Sequence, residues 1–404
     1  MTRDARSDDG AGRATALGLD GIDIDSAVAT IARKLAFYDD HQPDKSAYPN
    51  EAKADAWTTV PASDWVSGFY PGALWYVHEF AMRRQWPDQA LWRQRAHTWT
   101  TGLTDEQFTT TNHDLGFMIM DSFGHGYRLT GDEAYKAVVL QAAESLSKRY
   151  SETVGLIRSW GAIDDADNFV VIIDNMMNLE LLVWASENGG PDRYRRIATQ
   201  HADRTREEFF RPDHGTYHVI DFDPRTGALK RKYTHQGLAD ESCWSRGQTW
   251  AIYGYAYLHE ATAEPRYLKH SIAAADHYLS RLPADHVPPS DFDSGLMGLE
   301  HRDSSAAALA SCAFFRLSRL CPDAADKTRF WLAAVNALKT LLQRPYFSSS
   351  PDHASALRYQ ARNFHPDASH RLTNTSLIFG DYYLLEALLT YDGAVQPTSK
   401  APSP

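Results

Sequence analysis

Cysteine is scarce in this chain of 404 residues, and Cys243, Cys312 and Cys321 are too few for a disulfide framework. A sequence with so few cysteines is typical of a reducing compartment, so we expect a cytoplasmic protein. The first 20 residues contain no apolar stretch of the kind that a secretory signal needs. No segment offers the roughly 18 consecutive apolar residues of a membrane-spanning helix. The sequence therefore predicts no membrane association.

Basic residues are outnumbered, with 41 Lys and Arg against 52 Asp and Glu and a formal net charge of −11. A scattered basic minority would not attract a polyanion, so we expect no nucleic-acid partner. Phosphate-binding loops, the dinucleotide fingerprint and the Gly-x-Ser-x-Gly elbow are missing, so no cofactor is predicted. The spacing of His218 and His235 matches no standard zinc pattern, and we expect no metal site.

Aromatic residues, by contrast, are abundant: 11 Trp, 20 Tyr and 17 Phe, in a chain that is 43% hydrophobic. That is enough apolar material for a large core, which excludes bulk disorder. Flat rings stack on the apolar faces of sugars, but they also fill the interiors of large helical proteins. The aromatic content alone leaves both interpretations open.

Helical periodicity predominates along the chain, and it predicts about twelve helices with few strands. The expected helices cover residues 24–41, 64–85, 88–101, 112–130, 132–151, 170–189, 191–211, 245–263, 265–282, 303–320, 323–345 and 376–391. Residues 213–235 resemble a short β-hairpin, because the turn sequence Asp223-Pro224-Arg225-Thr226-Gly227 follows a strand-like run.

The predicted helices alternate in character. One kind follows a turn and a tyrosine, as at Tyr135, Tyr194 and Tyr267, and carries its charges on one face, as a helix with one exposed side does. The other kind is apolar on nearly every side, as in residues 169–177, and is expected to be buried. Six hairpins that alternate in this way predict an all-α (α/α)6 barrel with an inner and an outer helix ring. We expect one barrel domain over residues 21–392, with disordered tails at 1–20 and 393–404.

The inner helices of such a barrel run in the same direction, so residues at their N-termini share one end of the molecule. Asp174 lies there within an apolar run, where an ionised carboxylate is costly and burial raises the carboxyl pKa. Asp114 opens another inner helix, and a second carboxylate nearby would raise that pKa further. Such a pair can supply the protonated acid that general acid catalysis needs. Helix capping or a buried polar contact is the alternative interpretation of each aspartate.

A second group of polar and aromatic residues comprises His218, His235, Gln236, Arg246 and Trp250. Arg246 and Trp250 are four positions apart and share a helix face. A guanidinium beside an indole can hold a carboxylate while a sugar ring stacks on the aromatic surface. A surface ion pair next to a core tryptophan would produce the same sequence pattern.

Several motifs resemble, in order and spacing, those of the unsaturated glucuronyl hydrolases, family 88 of the glycoside hydrolases. They are Asn112-His113-Asp114-Leu115-Gly116-Phe117, Asp174-Asn175-Met176-Met177-Asn178, His235-Gln236-Gly237 with Trp244, Arg246-Gly247-Gln248 and Trp250, and Gly380-Asp381-Tyr382-Tyr383. The resemblance runs from Asp64 to Glu386 and implies an (α/α)6 barrel. Enzymes of this family act on oligosaccharides left by polysaccharide lyases, which carry a 4,5-unsaturated uronate at the non-reducing end. They hydrate the vinyl ether double bond of that uronate.

The resemblance also implies a role for individual residues. Asp174 takes the acid/base position, and Asp114 is the supporting carboxylate. The family pattern places His218, His235, Gln236 and Arg246 around the uronate and the water, and Trp250 and Trp160 against the sugar rings. Trp65 and Phe69 are expected to line the same pocket. The implied partner is an unsaturated oligosaccharide, bound by a monomer or a weak homodimer.

Four other functions remain open on the sequence alone. An unsaturated rhamnogalacturonyl hydrolase would keep Asp174 but generally differ at Asn112-His113-Asp114. An ordinary inverting glycosidase would need two carboxylates about 6.5–9.5 Å apart. A sugar epimerase or isomerase would use histidines such as His218 and His235 as acid and base. A non-catalytic carbohydrate-binding barrel would leave the apolar surroundings of Asp174 unexplained.

Overall fold

A computed structural model describes residues 21–364, 367 and 371–395 of the chain. The expected N-terminal tail, residues 1–20, lies outside the described residues, as does the 396–404 part of the expected C-terminal tail. Residues 393–395 belong to the last helix, which passes the predicted end of the barrel at residue 392. Within the described ranges, no helix combines the length and apolar character that a membrane crossing requires.

Twelve helices make up most of the described chain, and they alternate between two rings. The outer ring contains α1 (Ile24–His41), α3 (Gln89–Thr101), α5 (Glu133–Ser147), α7 (Arg193–Phe209), α9 (Pro265–Arg281) and α11 (Ala324–Leu341). The inner ring contains α2 (Phe69–Arg83), α4 (Gly116–Gly124 followed by His125–Thr130), α6 (Asn175–Glu187), α8 (Ser245–Thr262), α10 (Ser304–Leu320) and α12 (Ile378–Val395).

The inner helices close into a ring. Each one packs against the next inner helix in chain order, and α12 packs back against α2. Each outer helix packs on the inner helix that precedes it, while α1 pairs with α12. Inner helices such as α2 and α10 bury most of their residues, whereas α7 and α9 bury one face and expose charged residues on the other. The predicted all-α (α/α)6 barrel is confirmed.

Three small antiparallel sheets occupy segments between the helices. β1 (Tyr48–Lys53) pairs with β2 (Ala56–Val60) and β8 (Ser376–Leu377), and β3 (Tyr150–Ser151) pairs with β4 (Leu156–Ile157). The third sheet has the order β5 (Phe169–Ile172), β6 (Val219–Phe222), β7 (Leu229–Tyr233). The hairpin predicted between residues 213 and 235 is β6–β7 and is confirmed.

The expectation that the apolar run 169–177 forms one buried helix is wrong in its first half. Residues 169–172 are strand β5, and α6 begins at Asn175. Phe169 and Val171 are buried in this strand. A short apolar run suits a buried strand as well as a buried helix, and here pairing with β6 satisfies the backbone groups.

The C-terminal half of the inner ring surrounds a charged interior. A cavity of about 540 Å³ there is lined by residues that include Tyr76, Glu79, Arg128, Glu180, Tyr253, Arg316 and Glu386. Tyr253 donates a hydrogen bond to Glu386 over 2.8 Å. Burial, opposed in part by Arg316 and reinforced by Glu386, raises the pKa of Glu180 to about 7. This end of the barrel therefore holds a carboxyl that is partly protonated near neutral pH.

Glu180→Gln is expected to stabilise the protein at alkaline pH. The pKa of Glu180 rises on folding from its ordinary 4.5 to about 7. Its contribution to the free energy of unfolding is therefore fully present below pH 4.5 and is lost as the pH rises through 7. Thermal unfolding at about pH 8 should place the variant about 2–4 °C above the wild type, and at about pH 5 at or below it.

Glu207→Gln, on the exposed face of α7, is the matched control, because its side chain is 66% exposed. It should leave the midpoint of unfolding nearly unchanged at both pH values. A Glu180→Gln variant displaced equally at both pH values would contradict the assignment of a raised pKa.

Candidate active site

A cavity of about 220 Å³ lies at the end of the barrel where the inner helices begin. The described residues that line it are Trp65, His113, Asp114, Trp160, Ile172, Asp174, His235, Gln236, Arg362 and Asn363. Trp65, Asp114 and Asp174 come from the segments that lead into α2, α4 and α6, as the common direction of the inner helices predicts. Six of the ten predicted site residues thus line one cavity: Trp65, Asp114, Trp160, Asp174, His235 and Gln236.

Asp174 lies at the junction between β5 and α6. The register of the sheet sets Ile172 opposite Val219, and the next backbone hydrogen bond joins the N–H of Ile173 to the carbonyl of His218 over 3.0 Å. The residue that follows is Asp174. The strand pairing therefore brings His218 beside Asp174, with Nε2 of the imidazole 3.8 Å from Oδ2 of the carboxyl.

The Asp174 carboxyl is in a poorly solvated environment. The residue is 7% exposed, and Oδ2 has no hydrogen-bond partner among the described residues. Burial raises the pKa of Asp174 to about 7, although the charge of Arg246 and the nearby indole N–H of Trp250 act in the opposite direction. A carboxyl with this pKa can both donate and accept a proton near neutral pH.

Asp114 is the second carboxyl of the cavity. Burial raises its pKa well above the ordinary range, and the charges of Asp174 and Asp64 raise it further, against a lowering by Arg149. Nε2 of His113 lies 3.2 Å from Oδ1 of Asp114, but burial lowers the pKa of His113 to about 3, so this imidazole is neutral. Asp114 and Asp174 titrate as a coupled pair that retains at least one proton near neutral pH.

A contact between α4 and α6 sets the relative position of the two carboxyls. Oδ1 of Asn178 accepts hydrogen bonds from the backbone N–H groups of Gly116 (2.8 Å) and Phe117 (3.3 Å). A Cβ on Gly116 would lie 2.5 Å from that oxygen, so the close approach requires glycine. Asp114 lies two residues before Gly116, and Asp174 lies four residues before Asn178. The contact therefore holds the pair in place.

His218 lies behind Asp174 and does not line the cavity. Its Nδ1 accepts hydrogen bonds from the backbone N–H groups of His235 and Gln236, each over 3.1 Å. Two donors at Nδ1 assign the ring proton to Nε2. Burial lowers the pKa of His218 well below its ordinary value, so the imidazole stays neutral. A neutral N–H group is thus held next to the Asp174 carboxyl.

The expected contact of Arg246 with the uronate does not fit its placement. The residue is 1% exposed and does not line the cavity. Its Nη1 pairs with Oδ2 of Asp303 (2.7 Å) and bonds the Ala361 carbonyl, while Nη2 donates to the Arg362 carbonyl over 2.5 Å. The Arg246 guanidinium is thus engaged by Asp303 and secures the backbone of residues 361–362.

Trp250 and Phe69 also lie behind the cavity, and neither indole nor phenyl ring lines it. Both are fully buried in the inner ring, on α8 and α2. The Trp250 ring packs 5.3 Å from Phe117, and the Phe69 ring packs 5.8 Å from Trp65. From there Phe69 packs directly against Trp65, which lines the cavity, and Trp250 packs against Phe117 behind it. The indole rings on the cavity wall itself are those of Trp65 and Trp160. The centroid of the Trp160 ring lies 5.9 Å from that of the His235 ring.

Four lining residues were not among the predicted site residues: His113, Ile172, Arg362 and Asn363. His113 immediately precedes Asp114 in the motif that marked the site, so its position was available from the sequence. Arg362 and Asn363 lie in an irregular segment between α11 and α12. Without helical or strand periodicity there, nothing in the sequence indicated where these side chains would lie.

Metal ligands and reactive thiols are not assembled in the described part of the chain. No group of three or more His, Cys, Asp and Glu side chains there is arranged to hold a metal ion. The three cysteines are unpaired and buried. Burial raises the pKa of Cys243 to about 12, so this residue is a structural thiol and not a thiolate nucleophile.

A coupled carboxyl pair beside two tryptophans, at the mouth of a helical barrel, is the arrangement expected of a glycoside hydrolase of the (α/α)6 class. No protein-family model matches the chain. The unsaturated glucuronyl hydrolase of Formosa agariphila is 37% identical over 332 residues, which cover 81% of this chain and 80% of the relative. The chain therefore belongs to the unsaturated glucuronyl hydrolase family.

Other relatives of the chain agree with this assignment. A crystal structure of an unsaturated glucuronyl hydrolase specific for heparin superposes with a TM-score of 0.82 at 32% identity, covering 94% of this chain and 98% of that one. The unsaturated chondroitin disaccharide hydrolase of Streptococcus pneumoniae is 28% identical, over 91% of this chain and 90% of the relative.

Proposed function

We propose that this enzyme removes the 4,5-unsaturated uronic acid from the non-reducing end of lyase-generated oligosaccharides of the glycosaminoglycan type. The observation that carries the proposal is the buried carboxyl of Asp174, whose pKa of about 7 makes it an acid and a base in one cavity. The relatives named for glucuronyl and chondroitin disaccharide hydrolysis support the same substrate class.

The first chemical step is a proton transfer to carbon. The protonated Asp174 gives its proton to C-4 of the vinyl ether, and the π electrons of the C-4=C-5 bond form the new C–H bond. Positive charge then develops at C-5 and is shared with the ring oxygen. Asp174 becomes a carboxylate at that moment, and its negative charge stabilises the cation beside it.

The second step adds water. The Asp174 carboxylate takes a proton from a water molecule as its oxygen bonds to C-5, which restores the acid and leaves a hemiketal. Opening of the hemiketal breaks the bond between C-5 and the ring oxygen, giving a ketone at C-5 and a hemiacetal at C-1. Collapse of the hemiacetal releases the neighbouring sugar. One water molecule is consumed, and the enzyme returns to its starting protonation state.

The other residues of the site would support this proton cycle. Asp114 keeps a proton within the carboxyl pair near neutral pH, and the neutral Nε2–H group of His218 faces the carboxylate that forms on Asp174. Trp65 and Trp160 present flat surfaces for sugar rings, while His235 and Gln236 offer polar contacts in the same cavity. Arg246 lowers the pKa of Asp174 from outside the cavity.

The geometry does not favour an epimerase that uses histidines as acid and base. Of the two histidines that this alternative names, His218 and His235, His218 has a lowered pKa, does not line the cavity, and has its Nδ1 occupied by two backbone donors.

We further propose a single catalytic domain over residues 21–392, a cytoplasmic location consistent with three unpaired cysteines, and a monomer or weak homodimer.

The experiment that tests the function follows the ultraviolet absorbance of the conjugated uronate. Lyase-made disaccharides from chondroitin, hyaluronan, heparin and rhamnogalacturonan are offered in parallel. Loss of absorbance on a glycosaminoglycan disaccharide, with release of the neighbouring sugar, is the expected result. Loss on the rhamnogalacturonan product alone would transfer the assignment to the rhamnogalacturonyl class. Sugar release from saturated glycans with no loss of absorbance would indicate an inverting glycosidase.

A further inference from the structure

Arg362 is the one lysine or arginine among the described residues that line the active-site cavity. We propose that Arg362 binds the carboxylate of the unsaturated uronate, and that the buried Arg246 positions it. This inference rests on the proposed function, because it assumes a uronate in the cavity. It assigns substrate recognition to a residue of the irregular segment between α11 and α12.

The charge of Arg362 is available to a ligand, unlike that of Arg246. Its Nη1 donates to Oδ1 of Asn50 over 3.2 Å, and no carboxylate of the described residues forms an ion pair with it. The Asn50 amide orients the Arg362 guanidinium but carries no charge that would neutralise it. Arg246 carries the same charge but pairs with Asp303 at 2.7 Å in the protein interior.

The backbone of the segment is fixed, so the Arg362 side chain is presented in a defined position. Its carbonyl accepts hydrogen bonds from Nη2 of Arg246 (2.5 Å) and Nε2 of Gln236 (2.8 Å), and its N–H donates to the Leu372 carbonyl over 2.7 Å. The N–H of Phe364 donates to the Gln236 carbonyl over 2.6 Å. A binding residue held by its neighbours in this way loses little freedom when the ligand arrives.

The size of the cavity indicates which acidic group Arg362 meets. At about 220 Å³ it is smaller than the roughly 300–1,000 Å³ of sites for drug-sized ligands, so it suits a single sugar ring. The ring that reaches Asp174 is the unsaturated uronate, and its own acidic group is the carboxylate on C-5. Arg362 is the basic side chain of the described cavity lining that this carboxylate can meet.

The same placement predicts which kinetic constant Arg362 controls. The reaction develops positive charge at C-5, next to the carboxylate, and a guanidinium there does not stabilise that charge. Arg362 therefore contributes to binding of the substrate and not to the chemical step. Loss of its charge should raise KM and leave kcat within about threefold of the wild type.

The test compares Arg362→Gln and Arg362→Lys with Arg358→Gln, a control in the same segment whose side chain does not line the cavity. Each protein is assayed on an unsulfated unsaturated disaccharide that the wild type consumes, on its uronate methyl ester and on a sulfated analogue. Arg362→Gln should raise KM by about 10- to 100-fold on the free acid, with or without sulfate. The preference of the wild type for acid over ester should disappear in Arg362→Gln and survive in Arg358→Gln.

Three outcomes would overturn the inference: an unchanged KM in Arg362→Gln, a loss confined to the sulfated substrate, or an acid-over-ester preference that survives the substitution. If Arg362→Gln does not fold, Arg362→Met, which also removes the charge, decides by the same acid-to-ester comparison. Arg362→Lys keeps the charge but not the planar fork, so it should keep the preference for the acid with a KM between those of the wild type and Arg362→Gln. A wild type that consumes none of the disaccharides would refute the proposed function itself and is recognised before any variant is made.

Discussion

Replacement of Asp174 by asparagine is expected to lower kcat by about 10³-fold, within the range that general acid–base catalysis contributes. Asparagine has nearly the same shape, but its amide cannot give a proton to C-4 or take one from water. The substitution also removes a buried ionisable group whose pKa is raised to about 7. Folding should therefore be preserved, and thermal unfolding near neutral pH should show no loss of stability.

The matched control is Asp203→Asn, the same isosteric change on the outer helix α7, where the side chain is 44% exposed. It should keep full activity. If Asp174→Asn retained more than about a tenth of the wild-type rate, the change in barrier would be below about 1.4 kcal/mol, and Asp174 would not be the acid.

Asp114→Asn is expected to move the alkaline limit of activity to lower pH. In the wild type the coupled carboxyls keep a shared proton above the pH at which Asp174 alone would lose it, because the pKa of Asp114 is raised well above its ordinary value. With an asparagine at position 114, that second proton-binding group is absent. The protonated fraction of Asp174 then falls as the pH passes about 7. At about pH 8 we expect this loss of the protonated form to lower kcat by up to about tenfold relative to the wild type.

The pH profile of kcat separates this role from a merely structural one. Damage to the site by misplacement would lower the rate by the same factor at every pH. A variant whose alkaline limit is unchanged, or lies above that of the wild type, would contradict the coupled pair. Asp64→Asn is the control with a smaller expected effect. The charge of Asp64 raises the pKa of Asp114 less than the charge of Asp174 does, so this variant should move the alkaline limit less than Asp114→Asn.

The barrel could be predicted from the sequence because its helices have strong periodic patterns. The predicted helix 24–41 coincides with α1, and the charged face of α9 marked it as an outer helix. The apolar run 169–172 was ambiguous, because burial on all sides removes the alternation that distinguishes a strand from a helix. Its pairing with β6, about fifty residues further along, is a long-range contact that no local pattern contains.

The acidic centre of the site could also be predicted, since Asp114 and Asp174 both precede inner helices and must meet where those helices begin. The role of Arg246 was inferred from the helix face that it shares with Trp250 and from the family resemblance. Its ion pair with Asp303 joins two inner helices that are distant in sequence, and no local pattern indicates such a contact. Arg362 lies in a segment whose path is set by hydrogen bonds from the side chains of Gln236 and Arg246 to its carbonyl. Its place in the cavity is therefore a tertiary property.

The central claim is that hydration of the double bond, with proton transfer to C-4, releases the sugar. The most direct test is to run the reaction in D₂O with an unsaturated disaccharide that the enzyme consumes and to examine the product by NMR. The account predicts that the wild-type enzyme adds one solvent deuterium to C-4 of the uronate product. In Asp174→Asn, both this incorporation and the activity should be lost. A released uronate that keeps its double bond and carries no deuterium at C-4 would show direct cleavage at the anomeric carbon and would contradict the mechanism.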